Sequence, residues 1–128
     1  MKTGRLSIFS ILFTGMAFVF YFNTTLAQDA AEVDPEHYKV EFENDQVRVL
    51  RITYGPGEKS VMHYHPESMV VFLTDGNGKF TFPDGTTEDS KFEAGLFLWM
   101  PEVTHQPENT GKEPFELIQI EMKKIDDD

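Results

Sequence analysis

Cysteine is absent from this chain of 128 residues. The chain therefore forms no disulfide, offers no thiol nucleophile and has no cysteine for lipid attachment. Basic residues are scarce as well, because 11 lysines and arginines stand against 22 aspartates and glutamates and leave a formal charge of −11. This deficit argues against a nucleic-acid partner and against an anionic membrane surface, since both are bound through Lys and Arg. The acidic excess is typical of a well-solvated surface.

A sustained helical period is also missing from Tyr38 onward. Short runs rich in Val, Ile, Phe, Tyr and Thr alternate there with turn signals such as Gly55-Pro56-Gly57 and Pro83-Asp84-Gly85. The length is that of one domain, and we see no internal repeat. Many short strands at nearly regular spacing predict an all-β sandwich or barrel. The predicted strands are 38–43, 47–54, 60–65, 68–74, 78–82, 86–92, 96–100 and 115–123.

The first 27 residues have the pattern of a secretory signal peptide. Lys2 and Arg5 precede an almost wholly apolar run from Ile8 to Phe22, and Thr25 and Ala27 supply small residues for a cut after Ala27. An uncleaved membrane anchor is the alternative, because a span needs ~20 apolar residues. Cleavage would remove two bases and no acid, which takes the formal charge from −11 to −13. The mature protein is then expected in the bacterial periplasm or outside the cell.

The remaining chain divides into a polar leader, a barrel and a tail. Residues 28–37 are polar and acidic, and we expect them to form a mobile leader in which His37 is solvated. Residues 38–125 are expected to form the barrel, and 126–128 an acidic, solvated tail.

His63 and His65 are the most specific chemical feature of the sequence. They stand two positions apart in a predicted strand, so both imidazoles leave the same face of the strand. Two imidazoles on one face are how a strand offers two ligands to one metal ion. An exposed polar pair with no ligand is the alternative interpretation.

The surroundings of this pair resemble the first of two motifs of the cupin superfamily, which reads Gly, five residues, His-x-His, three or four residues, Glu, six residues, Gly. Gly57 precedes His63 with five residues between them, and Gly76 closes the pattern. The stretch KVEFENDQVRVLRITYGPGEKSVMHYHPESMVVFLT (39–74) is also similar to small single-domain cupins.

The second cupin motif reads Gly, five residues, Pro-x-Gly, then His, three residues, Asn. Gly95, Pro101, His105 and Asn109 match its main positions, whereas Val103 replaces its second glycine. The resemblance implies a cupin-type β-barrel, also called a double-stranded β-helix or jelly roll, in which the two motif strands lie side by side. It further implies that His63, His65 and His105 converge on a divalent transition metal, with Fe, Mn, Zn, Ni and Cu as candidates.

The glutamate of the first motif is replaced by Met69. Glu67 is a candidate stand-in for that carboxylate, and the thioether of Met69 is a candidate soft ligand, although an apolar core role explains Met69 more simply. Tyr54 and Gln119 are candidate cavity residues. Asn109 is a candidate for the cavity or for tying a turn.

Three functions remain open at this point. The first is a metal-dependent cupin that acts on a small oxygenated molecule, either as a dioxygenase-like oxidoreductase or as a Lewis-acid catalyst. The second is a metal-free module that binds a small ligand. The third is pairing into a homodimer through edge strands near Tyr38 to Phe42 and Phe115 to Met122.

Overall fold

Antiparallel strands dominate residues 28–125, the part of the chain that this computed structural model describes. One short helix precedes them, α1 (Ala30–Val33). Within the described residues the strands are β1 (Tyr38–Glu43), β2 (Val47–Tyr54), β3 (His63–His65), β4 (Ser68–Phe72), β5 (Gly76–Thr81), β6 (Thr87–Phe92), β7 (Phe97–Met100), β8 (Val103–Asn109) and β9 (Phe115–Met122). The all-β prediction is therefore confirmed.

The strands form two sheets that face each other. One has the order β1-β2-β9-β4-β7 and the other the order β3-β8-β5-β6, so that strands adjacent in sequence often lie in different sheets. In the larger sheet, β4, β9 and the second half of β2 alternate between a buried and a more exposed side, which is the period of two expected of a sheet with one covered face. The inward side chains form the core, with Leu50, Ile52, Val70, Phe72 and Leu117 among them.

One strand was not predicted from the sequence. β8 has the sequence VTHQPEN. These residues are mostly polar and include Pro107, so the sequence predicts a loop here. It is a strand because the backbones of β3 and β5 pair with it on its two sides. Pro107 has no N–H to donate, and its carbonyl accepts from Ser60 N at 2.9 Å.

The expected edge positions are only half right. β1 lies at the edge of the five-stranded sheet, as predicted, whereas β9 lies at its centre between β2 and β4. The backbone of β9 is therefore paired on both sides, and it offers no free edge to a second chain. β9 alternates because only one face of the sheet is covered, and such alternation does not distinguish an edge strand from a central one.

Residues 29–37, which were predicted to form a mobile, solvated leader, lie against the barrel in the structure. Asp29 begins α1 as its N-cap and accepts from Ala31 N at 2.9 Å, and Ala30 is fully buried. His37, expected in solvent, stacks on the ring of Tyr54 with centroids 4.2 Å apart and bonds to two carboxylates. The polar residues of this segment find partners on the barrel, which composition could not reveal.

Two predictions fall outside the described residues, namely the signal peptide at 1–27 and the acidic tail at 126–128. Within residues 28–125, no helix has the length and apolar character needed to cross a membrane.

Gly76 opens β5 and allows an aromatic ring to approach the backbone. A Cβ atom at this position would lie 2.3 Å from the ring of Phe92 and 2.9 Å from the Cβ of Phe115. Glycine is thus required here by close packing, although the sequence suggested only a turn residue.

Candidate metal centre

Three imidazoles converge between the two sheets. His63 and His65 leave the same face of β3, and His105 of β8 stands directly opposite His63 in the antiparallel register. The ring centroids are 4.8 Å apart for His63 and His65, 5.2 Å for His63 and His105, and 5.5 Å for His65 and His105. One ring nitrogen from each histidine lies within 4.8 Å of the other two, which is close enough for all three to reach one ion.

Hydrogen bonds assign the proton on two of the rings. His63 Nδ1 lies 2.9 Å from the carbonyl oxygen of Val61, which can only accept, so Nδ1 carries the proton and donates it. His65 Nδ1 lies 2.8 Å from Glu121 Oε1 and donates to that carboxylate. In both rings the proton on Nδ1 leaves the lone pair on Nε2, the arrangement that a metal-binding histidine requires.

Two of the three nitrogens that would face a metal make no hydrogen bond within the described residues. His63 Nε2 and His105 Nε2 are buried and have no hydrogen-bond partner among the residues that the structure describes. A buried polar atom left in this condition is costly unless something outside the protein satisfies it. Three neutral imidazole nitrogens suit Zn²⁺, Fe²⁺, Ni²⁺ or Cu²⁺, so the donor set fits a divalent transition metal.

Burial also keeps two of the rings neutral. It lowers the pKa of His63 to about 4, with a further lowering from the neighbouring His65. It lowers the pKa of His105 to about 3, again with contributions from the other two histidines. Both rings therefore offer an unprotonated nitrogen at neutral pH.

A buried carboxylate, which was not predicted from the sequence, lies beside the histidine cluster. Glu121 on β9 is only 2 % exposed and divides its two oxygens between His65 and Arg48. Arg48 Nε donates to Glu121 Oε2 at 2.7 Å, and another guanidinium nitrogen of Arg48 pairs with Asp29 at 2.5 Å. A continuous chain of charged groups thus links the N-terminal segment to His65. The period of two that suggested an inward Gln119 could also have placed Glu121 inward.

The two auxiliary ligands considered from the sequence lie elsewhere. Met69 stands on the outer face of β4, opposite Trp99 and Ile120, and so points away from the histidines. Glu67 is exposed, and its Oε1 accepts from Trp99 Nε1 at 3.0 Å. Because the strand alternates, the inward position beside them belongs to Ser68, which is fully buried and accepts from Gln119 Nε2 at 2.8 Å.

An apolar cavity of about 240 Å³ adjoins the cluster and reaches His65 and His105. Tyr54 and Gln119 are among the residues that line it. Asn109 does not, although it is fully buried. Its amide donates to the carbonyl oxygens of Tyr54 and Glu113, and its Oδ1 accepts from Gly111 N. Asn109 therefore ties the turn after β8, which was the other interpretation of this residue.

Comparison with known proteins agrees with this architecture. Residues 50–121 match the family model described as "Cupin domain". No curated protein is detectably similar to the chain.

Several solved structures share the fold. A cupin domain from Bordetella pertussis is 28 % identical with a TM-score of 0.64, and the match covers 68 % of this chain and 92 % of that one. A protein from Bacillus halodurans is 17 % identical with a TM-score of 0.55, covering 71 % and 73 % of the two chains. An RmlC-like cupin with a double-stranded β-helix fold from Methanocaldococcus jannaschii is 15 % identical with a TM-score of 0.53, covering 66 % and 77 %. The last two similarities concern the fold alone.

Proposed function

Since this chain belongs to the cupin family, we propose that His63, His65 and His105 hold a divalent transition metal and that the protein acts on a small oxygenated molecule. The observation that carries the proposal is the convergence of three imidazoles, two of which present buried Nε2 atoms without a partner among the described residues. Fe, Mn, Zn, Ni and Cu are all candidates, because imidazole nitrogens discriminate poorly among these ions.

The site is suited either to dioxygenase-like oxidation or to Lewis-acid catalysis. A bound divalent metal would supply Lewis acidity, and a redox-active one would also support oxygen chemistry. Three protein ligands leave coordination positions open for a substrate. Glu121 orients His65, and the lining of the adjoining cavity is mainly apolar. The phenols of Tyr38 and Tyr54 share a hydrogen bond of 2.7 Å, and burial raises the pKa of both, so they stay protonated.

Metal content tests this proposal directly. The full-length chain, expressed without a histidine tag, is expected to carry about one transition-metal ion per molecule in elemental analysis. The double variant His63→Ala/His65→Ala should carry none, because a single imidazole remains. His37→Ala is the matched control. The chain has four histidines, and His37 is the one outside the cluster, so this variant should retain the metal. A parent protein that stays metal-free after incubation with Fe²⁺, Mn²⁺, Zn²⁺, Ni²⁺ and Cu²⁺ would refute the proposal.

A metal-free binding module is the second candidate function. The observation that favours it is the cavity, which is large and mostly apolar and would hold a small ligand without chemistry. In that case the histidines would serve as hydrogen-bonding groups. Stoichiometric metal in the parent protein decides against this candidate.

Glu121→Gln is expected to weaken metal binding by about 10–100-fold, because the carboxylate fixes the tautomer of His65 and raises the basicity of its free nitrogen. Competition with a chelator of known affinity measures the effect. Glu116→Gln is the control on the same strand, because Glu116 lies on the outer face and pairs with Arg51 instead. Equal metal affinity in the two variants would show that Glu121 does not support the site.

Pairing of two chains is part of the proposal. An apolar row crosses the outer face of all five strands of the larger sheet, in the order Phe42, Val49, Ile120, Met69 and Trp99. Such a continuous apolar row is unusual on a monomer surface and suits contact with an identical sheet. Phe97, next to this row and 68 % exposed, provides the test. Phe97→Glu should shift the protein from dimer to monomer in sedimentation. A parent protein that is monomeric in the same measurement would contradict the proposed dimer.

Export to the periplasm or the medium completes the proposal, and it depends on the pattern of residues 1–27. Mass spectrometry of protein recovered from the periplasm should show a chain that begins at Gln28. A chain retained in the membrane fraction with Met1 intact would favour the uncleaved anchor.

A further inference from the structure

The cavity beside the histidines has a composition that selects among ligands. Its lining is mainly aromatic and aliphatic, and five phenylalanines take part in it: Phe72, Phe80, Phe82, Phe92 and Phe115. From these observations we infer that the cavity binds an uncharged aromatic molecule of one or two rings that carries an oxygen directed at the histidine cluster. The inference deepens the proposed function and depends on the same site.

Charge excludes most anionic ligands. Among residues 28–125, no lysine or arginine lines the cavity, and the one carboxylate in its lining, Glu88, is exposed to solvent at the rim. An anion within the cavity would lose its hydration with no protein cation to replace it, and this is costly. The chain's formal charge of −11 repels anions at longer range as well. For the metal-free cavity, sugar phosphates and dicarboxylates are therefore poor candidates.

Ring geometry favours an aromatic ligand over a sugar. Phe72 stacks on Phe92 with centroids 4.2 Å apart, and Phe92 meets Phe115 edge to face at 5.0 Å. Phe80 lies nearly parallel to the ring of His105 at 5.4 Å. These rings present faces and edges with which another ring packs favourably, whereas a sugar would bring more hydroxyl groups than the few polar side chains of this mainly apolar lining can satisfy.

The volume sets the size of the ligand. An apolar protein cavity of about 150 Å³ holds benzene. This cavity measures about 240 Å³ and thus has room for a fused two-ring compound or a substituted benzene.

The polar groups set the ligand's orientation. His65 and His105 reach the cavity, and Gln119 adds an amide whose Nε2 is already engaged with Ser68. A hydroxyl or carbonyl oxygen on the ligand can meet the imidazoles or a metal that they hold, while its rings stay among the phenylalanines.

Three probes of similar size test the inference on the full-length chain, in a metal-free and a Zn²⁺-loaded form. These are 2-naphthol, naphthalene-2-sulfonate and glucose. In titration calorimetry we expect 2-naphthol to bind to both forms, and more tightly to the Zn²⁺-loaded one. The sulfonate and glucose should bind at least about tenfold more weakly to the metal-free form. Equal binding of the three probes, or no binding of 2-naphthol to either form, would overturn the inference.

The NMR signals of two methionines report where 2-naphthol binds, and this measurement uses the unsubstituted protein. Met100 lines the cavity, whereas Met69 lies on the outer face of the neighbouring strand. With 13C-methyl-methionine labelling, the NMR signal of Met100 should shift on addition of 2-naphthol and that of Met69 should not. A shift confined to Met69 would place the probe on the outer surface and contradict the inference.

A matched pair of variants adds a second check. Val70 points into the cavity and Val71, its neighbour on β4, points outward. Val70→Phe should reduce the affinity for 2-naphthol by at least about tenfold by filling the space, while Val71→Phe should leave it unchanged. Failure of the proposed metal site is distinguishable from failure of this inference, because a chain that takes up no Zn²⁺ would still bind 2-naphthol in its cavity.

Discussion

Arg48→Met is expected to lower the free energy of unfolding by about 3–5 kcal/mol. The substitution keeps most of the aliphatic stem and removes the only cation that contacts Glu121 in the described part of the chain. Glu121 is 2 % exposed, so its charge would remain buried with the N–H of His65 as its hydrogen-bond partner and no cation beside it. Asp29, the N-cap of α1, would lose its partner at the same time. Urea denaturation of metal-free protein in a chelating buffer measures the change.

Arg51→Met is the matched control for that experiment. Arg51 stands on the same strand and also bridges two carboxylates, Glu41 and Glu116, but it does so on the outer face with its side chain 41 % exposed. Solvent-exposed ion pairs contribute about 0–1 kcal/mol, so this variant should remain close to the parent. Similar losses in both variants would mean that the chain Asp29–Arg48–Glu121 has no special stabilising role.

The metal-free protein is expected to lose stability steeply as the pH falls from 6.5 to 4.5. The pKa of His63 lies at about 4 and that of His105 at about 3 in the folded protein, against 6.5 for an ordinary histidine. In this interval the unfolded chain binds a proton at each position and the folded chain does not, so protons favour unfolding. The loss is about 2 kcal/mol per histidine across the interval, which is large against the 5–15 kcal/mol of a typical domain.

His37 and two carboxylates with lowered pKa values exert their effects outside this interval. The pKa of His37 is raised, because its bonds to Asp34 and Glu58 outweigh the lowering effect of burial. Its stabilising contribution is therefore complete below pH 6.5 and is lost only as the pH rises through its folded pKa. The carboxylates with lowered pKa values, such as Asp29 and Glu58, lose theirs only below about pH 4.5.

Thermal or urea unfolding across this pH interval gives the measurement. The variant His63→Gln/His105→Gln removes both titrating rings and should show a much flatter dependence on pH. A parent protein whose stability is level between pH 6.5 and 4.5 would show that the two rings are protonated in the folded state.

Polar composition and local spacing misled the sequence analysis in specific places. Val103–Asn109 reads as a loop because it is polar and contains Pro107, yet two neighbouring strands pair with it. The segment at 28–37 was predicted to be solvated because it is acidic, yet Asp29, Asp34 and His37 bond to residues of the barrel. In each case these partners lie far away along the chain, and patterns within one segment cannot show them.

Several features were determined by the amino-acid sequence alone, because they depend on local periodicity and spacing. The short apolar strands and turn signals predicted an all-β fold, and the spacing of His63 and His65 put them on one face; the resemblance to the cupin motifs then implied a barrel in which His105 joins them. Only the tertiary structure decided that Glu121 on the last strand supports His65, that Met69 and Glu67 face away, and that the cavity is aromatic and free of lysine and arginine within residues 28–125. The physical reason is register: one residue of shift between paired strands exchanges the inner and outer faces, and register is set by contacts between strands distant in sequence.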